Sequence, residues 1–509
     1  MKKNLNKYIL FIVFPLLLIV MWRALNVTHP WTRDEAYYLS YSESWNDGET
    51  KDLRYVTEKD IYQGAIFPFY RLALRATNYI PLGNGFFDKR ILNLFLLLLL
   101  YLSFVKFFKA FQINNYFSVV PVLYVMVFPK ISKYLFMIRP DWTVISLTIM
   151  SVIFTLMFLK SREIRSLYVA GLCASFSAII YWNGLITLLS FGTVLLTLNE
   201  CSMKSKLKVL GLSSFVFILF NIIPMSFYYD EFRALSSNSY GTASKVVNSK
   251  FYLTYMYSLL SVVQKGYLSK LNDLFSLFIL VNIVSLVLFR NNKDIWKMVL
   301  VSCIFWLSAF LAIILRSPSP RHSYFFILML LPSSVLIFNS VLRKLKTKTI
   351  VTIACVLTLS FPLIVISKRA TYPNREESYA QFQADLRKIL EKIEVKRLLT
   401  YYEYGTGIPE YSKLFQMSFL SRNFNSKDAF SSFLKSKNVN VIVVSERTRD
   451  RMEGIAKGKI PEYYKFLGLI LGEEFHYVNS VYSSDYRTNK GKKPRNKEKF
   501  ESQVWTRSF

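Results

Sequence analysis

The sequence predicts a polytopic α-helical membrane protein of about eleven transmembrane helices, with a small α/β domain outside the membrane at its C-terminal end. Three observations predict it. The chain is 52% hydrophobic, with a mean hydropathy of +0.28, a balance unusual for a soluble chain of 509 residues. Runs such as Ile91–Tyr101, Trp142–Leu159 and Phe325–Phe338 contain no charge, and roughly 20 mostly apolar residues suffice to cross about 30 Å of hydrocarbon. These runs are apolar all round rather than striped, as lipid-facing helices are. Beyond residue 370 the pattern changes to short alternating segments separated by charged ones.

The first span covers residues 8–27, behind Lys2, Lys3 and Lys7. No small-residue cleavage site follows at Trp22-Arg23-Ala24-Leu25, so it reads as an uncleaved first helix. Further spans fall near 90–109, 116–131, 142–160, 166–182, 184–198, 207–227, 272–289, 296–315, 322–341 and 348–366. One set of span ends carries Lys106, Lys109, Lys160, Arg162, Arg165, Lys204, Lys206, Lys208, Arg290, Lys293, Arg343, Lys344, Lys346 and Lys348. The other set is richer in acid, with Asp34, Glu35, Glu43, Asp47, Asp141, Asp230 and Glu231. Lys and Arg mark cytoplasmic loops, so the N-terminus is expected in the cytoplasm and the acidic loops outside. Residues 166–198 are read as a hairpin turning at Tyr181-Trp182-Asn183-Gly184, because a single span would put three basic loops outside. Lys368 and Arg369 run against the trend.

The formal net charge of +31 is therefore topological; the cations are scattered between apolar spans, so no nucleic-acid partner is expected. Cys173, Cys201, Cys303 and Cys355 lie in or beside spans and none lies beyond residue 370, which leaves no disulfide framework or cysteine zinc site there.

Residues 1–369 form the expected transmembrane domain. Its outer loop 28–89 contains an interfacial helix around Ile61–Tyr79, and a second outer loop spans 228–271. In the domain 370–485, Lys396–Tyr404 and Val439–Ser445 read as strands, with the helical pattern Asp428–Lys437 between them. Residues 486–509 read as a basic, flexible tail.

Ion-coupled transporters keep ionisable groups within the membrane, and these span interiors are nearly free of them. The charges sit instead at the outer span ends, as suits an enzyme acting on a substrate with a lipid tail and a polar head. Asp34-Glu35 follows the first span; a carboxylate there can take a proton from an attacking hydroxyl, though acids also sit at helix starts to satisfy free N–H groups. Arg139-Pro140-Asp141 opens the fourth span, where Arg can hold a phosphate bidentately and Asp can orient it or bind a metal. Arg316 to Tyr324, with Arg321, precedes another outer helix start, and a guanidinium beside a helix N-terminus makes an anion site. Arg90, Arg139 and Arg321 all stand on the side that positive charge avoids. His29 and His322 are too scattered for a histidine metal site.

This arrangement resembles the GT-C class of membrane glycosyltransferases. It is most similar to the glycosyltransferase family 39 group of protein O-mannosyltransferases and lipid A aminoarabinose transferases. The resemblance runs through Asp34-Glu35-Ala36-Tyr37-Tyr38, Phe67-Pro68-Phe69-Tyr70, the stretch Gly83 to Arg90, and Arg321-His322-Ser323-Tyr324 with Pro332. A double proline of the family is reduced here to Pro68, and Arg321 and Tyr324 are separated by two residues. The resemblance implies a sugar donor on a polyprenyl phosphate, a lipid, glycan or protein acceptor, and inversion at the anomeric carbon. Asp34 would then be the base, supported by Glu35. Arg90, Arg139, Arg321 and Tyr324 would hold the donor, and Asp141 would orient the acceptor or help bind a divalent metal ion, a cofactor the resemblance leaves open. A bacterial inner membrane is the expected setting. The alternatives are an O-antigen polymerase or ligase, and a lipid-linked glycan transporter, which needs a polar path through the bundle.

Overall fold

The computed structural model describes residues 68–77, 85–113, 118–127, 140–223, 274–316, 326–344, 376–400, 414–416, 424–454, 462–483 and 500–508. The chain divides into two compact units, the first made of residues 1–25, 65–80 and 90–372 and the second of residues 26–64, 81–89 and 373–509.

The first unit is helical. Its elements are α1 (Pro68–Ala76), α2 (Gly85–Ala110), α3 (Val119–Val127), α4 (Pro140–Ser161), α5 (Ile164–Ile180), α6 (Trp182–Thr197), α7 (Met203–Phe217), α8 (Leu274–Leu288), α9 (Lys293–Arg316) and α10 (Leu331–Lys344). Among the described residues, Arg90–Ala110, Pro140–Ser161, Met203–Ile222 and Lys293–Ala312 are long and apolar enough to cross a membrane, and four shorter apolar helices accompany them. The expected first and last spans, 8–27 and 348–366, lie outside the described residues. Helix α3 covers nine residues of the expected span 116–131.

Helix α4 departs from the expected lipid-facing role. It is buried on all sides from Pro140 to Leu159, apart from Phe154 and Met157, which are half-buried. Composition cannot separate a helix bathed in lipid from one enclosed by other helices, since both are apolar all round. Its small hydroxyl residues distinguish it: Ser146, Thr148, Ser151 and Thr155 are all buried, and such residues let helices approach closely and bond across the contact. Thr148 shares a 2.7 Å hydrogen bond with Thr187 of α6.

Helices α5 and α6 form the hairpin. The backbone of Tyr181 is extended between them, and Gly184 N–H donates to the Tyr181 carbonyl at 2.8 Å. Only glycine fits here, because a Cβ on Gly184 would lie 1.8 Å from the Ser177 carbonyl oxygen. Gly184→Ala is therefore expected to cost at least the about 1–3 kcal/mol typical of overpacking. The opposite case is Gly211, where a Cβ would meet nothing within 4 Å, so Gly211→Ala should be neutral or slightly stabilising. Yield and melting temperature in detergent check this; equal values for the two variants would remove the steric argument.

The described basic ends gather at one end of the helical unit. Glu200, after α6, receives Arg162 at 3.5 Å and Lys297 of α9. Lys206 donates to the Leu196 carbonyl at 2.8 Å, capping α6, and Arg343 at the end of α10 donates to the Gln112 carbonyl just beyond α2 at 2.8 Å. Helix α1 packs at the opposite end: Phe69 lies 6.0 Å from Phe176 and 5.8 Å from Phe220, the latter in the π-helical turn Ile218–Ile222 that continues α7.

The second unit contains α11 (Glu376–Leu390), β1 (Leu398–Thr400), β2 (Leu414–Gln416), α12 (Lys427–Ser436), β3 (Val441–Ser445), α13 (Glu446–Met452), α14 (Tyr463–Ile470), β4 (His476–Ser483) and β5 (Phe500–Thr506). The five strands form one sheet in the order β2-β1-β3-β5-β4, parallel from β2 to β3 and antiparallel from β3 to β4. Every residue of β3 is buried, as a central strand covered on both faces requires. The Asn440 side chain fixes β1 beside it by accepting from the Lys396 and Arg397 N–H groups at 2.8 and 3.1 Å.

The expected flexible tail is corrected here. Residues 500–506 form β5, an interior strand with Val441↔Thr506 and Ser445↔Ser502 in register with β3. The lysines before it dominate the composition, but Ser502 and Val504 alternate into the core. Arg449 donates to Glu501 at 2.7 Å, and Ser480 donates to the other Glu501 oxygen at 2.6 Å. Burial alone would raise the Glu501 carboxyl, but these hydrogen bonds and the Arg449 charge outweigh it and hold the group below its ordinary value. Glu474 behaves likewise: burial opposes, but Ser431, Lys435 and Arg507 prevail and lower it. Groups depressed on folding stabilise the fold above the unfolded carboxylate value, about 4.3, and that contribution disappears as pH falls through the folded values. Acid unfolding of this sheet, followed by hydrogen exchange of the β3 and β5 amides in the full chain, should therefore begin below about pH 4, and Glu501→Gln should flatten its pH dependence. An unchanged slope in the variant would contradict the linkage.

Candidate active site

The end of the helical unit remote from the lysines holds two of the residues singled out above. Arg90 lies in the second turn of α2 and is 0% exposed. It opens the apolar stretch Arg90–Ala110, as the sequence suggested, while the helix itself begins five residues earlier at Gly85. Asp141 lies in the first turn of α4 and is 3% exposed. Ionised groups persist at such burial only beside compensating partners, and both residues engage other groups.

One long-range bond relates the two helices. The Trp142 indole, fully buried, donates to the Asn93 carbonyl at 3.2 Å. Arg90 precedes Asn93 by three residues, about 4.5 Å along the axis, and Asp141 is adjacent to Trp142. The guanidinium-bearing and carboxylate-bearing turns therefore flank one joint. Helices α2 and α4 run parallel from it, so Lys106, Lys109 and Lys160 collect at their far ends.

Helix α6 also starts at this end, because α4, α5 and α6 run alternately. Asn183 in its first turn is 6% exposed, and its side-chain N–H group has no hydrogen-bond partner. Helices α4 and α6 thus begin here in parallel, each presenting the positive end of its dipole. Such an end, with a buried guanidinium, suits an anion carrying a lipid tail.

Asp34, Glu35, Arg139, Arg321 and Tyr324 lie outside the described residues. The sequence reading missed Asn93, Trp142 and Asn183 as members of this end. A signal for the last was present: Asn183, Thr187 and Ser190 recur at helical spacing on one face of α6. The hydroxyls of α4 and α6 also place polar groups inside a bundle expected to be apolar, although they are uncharged. Among the described residues no three His, Cys, Asp or Glu side chains converge as metal ligands would.

No family model matches the chain, and no curated protein matches it. Solved structures do. ArnT from Cupriavidus metallidurans in the apo state is 13% identical with a TM-score of 0.54, covering 98% of each chain. The same protein bound to undecaprenyl phosphate gives 11% identity and a TM-score of 0.55, again over 98% of each chain. The Archaeoglobus fulgidus oligosaccharyltransferase, complexed with Zn and sulfate, gives 12% identity and a TM-score of 0.52 over 92% of this chain and 72% of that one. At such identities it is the fold that is shared, and this chain has the GT-C fold that its sequence resembles.

Proposed function

We propose that the chain is an inverting glycosyltransferase that moves a hexosyl or pentosyl group from a polyprenyl-phosphate donor to a lipid, glycan or protein acceptor. The observation that carries this reading is the burial of Arg90 and Asp141 at the end of the bundle away from the lysines. By the positive-inside rule that end is the outer one, in a bacterial inner membrane with the N-terminus cytoplasmic and residues 373–509 outside. The undecaprenyl phosphate bound to ArnT supports a lipid phosphate as the donor's carrier.

In this reading the acceptor hydroxyl oxygen attacks the anomeric carbon, the bond from that carbon to the phosphate oxygen breaks, and the phosphate leaves with the electron pair. Asp34 accepts the hydroxyl proton, with Glu35 beside it in sequence as its support. Arg90, Arg139 and Arg321 stabilise the charge that grows on the departing phosphate; Tyr324 holds the donor and Asp141 orients the acceptor. A divalent ion at this end would draw on Asp141 and would supply further charge for the phosphate.

Transfer of radiolabelled sugar from a panel of polyprenyl-phosphate hexoses and pentoses, in membranes with and without the chain, tests the proposal. Chain-dependent release of polyprenyl phosphate with labelled product is expected. Its absence across the panel overturns the reading. A polymerase or ligase would instead move a preassembled glycan from a lipid carrier.

A further inference from the structure

We propose that Asn183 is a substrate-binding residue that, together with Asp141, reads neighbouring hydroxyls of a sugar ring. This rests on the glycosyltransferase reading above and deepens it. The geometry comes from the bond between Thr148 and Thr187, which fixes how α4 and α6 face each other. At about 100° per residue, Asp141 stands only about 20° around α4 from Thr148, and Asn183 about 40° around α6 from Thr187. Both therefore lie on the confronting faces of two parallel helices. Asp141 is seven residues outward from Thr148 and Asn183 four residues outward from Thr187, an axial difference of about 4.5 Å. A carboxylate and a primary amide are thus brought to one end of the bundle from opposing faces.

The amide is the informative member. It is 94% buried, since its exposure is 6%, and its N–H group lacks a protein partner. A buried donor without a partner is unfavourable, and Ser177, Thr148 and Thr187 nearby already bond to one another. Gly184, next to it, closes the turn against Ser177, so the first turn of α6 cannot easily rotate the amide away. The group that fits between a carboxylate and an amide N–H is one that both donates and accepts. A sugar's neighbouring hydroxyls do so: one O–H donates to the carboxylate and the adjacent oxygen accepts from the amide. A phosphate would be repelled by Asp141, which leaves the anion to Arg90 on α2.

The test measures transfer in membranes containing the full chain. Wild type, Asn183→Ala, Asn183→Ser and Thr187→Val are compared with polyprenyl-phosphate sugars and with analogues lacking one ring hydroxyl. Asn183→Ala should lower kcat/KM about tenfold for the intact sugar and have little effect on the analogue lacking the hydroxyl that it reads. Asn183→Ser, which keeps a donor, should recover part of the loss. Thr187→Val removes the hydroxyl that Thr148 and Ser177 share but leaves the Asn183 amide in place, so it is the packing control and should leave discrimination unchanged. A raised KM for the donor assigns the hydroxyls to the donor sugar, and a raised KM for the acceptor assigns them to the acceptor. If Asn183→Ala does not accumulate, Asn183→Ser carries the same comparison. Unchanged discrimination in an active variant overturns this inference alone. No transfer by wild type from any donor overturns the underlying reading and this inference with it.

Discussion

Membranes carrying Asp34→Asn are expected to lose transfer by about 10²–10⁴-fold, the range spanned by removal of a general base. The asparagine keeps the size of the carboxylate and its capacity to accept a hydrogen bond, but cannot take a proton at neutral pH. Binding of the lipid phosphate, read as protection of the chain against heating by undecaprenyl phosphate, should survive, because the lost group acts on the acceptor's proton. Glu35→Gln should have a smaller effect if Glu35 only supports its neighbour. Robust transfer by an Asp34→Asn chain present at wild-type abundance would remove Asp34 from the catalytic role and move attention to Asp141, the buried acid in the first turn of α4.

Much of this architecture is legible in the sequence, and the illegible part has identifiable physical causes. The hairpin 166–198 followed from charge alone: Arg162 and Arg165 at one end and Lys204, Lys206 and Lys208 at the other had to share a side, and the backbone turns at Tyr181. In the second unit β3 and α12 lie where alternation and helical spacing put them, since a run like Val441–Ser445 has few other homes. Strand β5 was hidden by the lysines that precede it, which fix average composition while Val504 and Ser502 fix the face. The enclosure of α4 could not be read from its apolar residues, although its hydroxyls hinted at close helix packing. The Trp142–Asn93 joint was beyond sequence reasoning: its acceptor is a backbone carbonyl 49 residues away, and backbone carbonyls leave no mark on composition. The GT-C resemblance rested on short motifs, and what the solved structures share with this chain is the fold.

Arg90→Gln is expected to lower kcat/KM by about 10²–10³-fold, as loss of one preorganised donor to a developing oxyanion does. The argument starts from burial. A guanidinium that is 0% exposed sits where electrostatic interactions are least screened, at an end where α4 and α6 direct their positive termini. Arg90 also bonds within the fold, so a fall in activity alone would not separate binding from support. Inhibition by the product separates them. If Arg90 holds the phosphate, it holds it in undecaprenyl phosphate as well as in the donor, and the variant should need at least tenfold more of that lipid for half-inhibition. Arg90→Lys should recover only part of the loss, because an ammonium cannot reproduce the bidentate geometry of the guanidinium. A variant that is less stable yet equally sensitive to undecaprenyl phosphate would make Arg90 a structural group that ties α2 into the bundle, and the phosphate would then belong to Arg139 and Arg321.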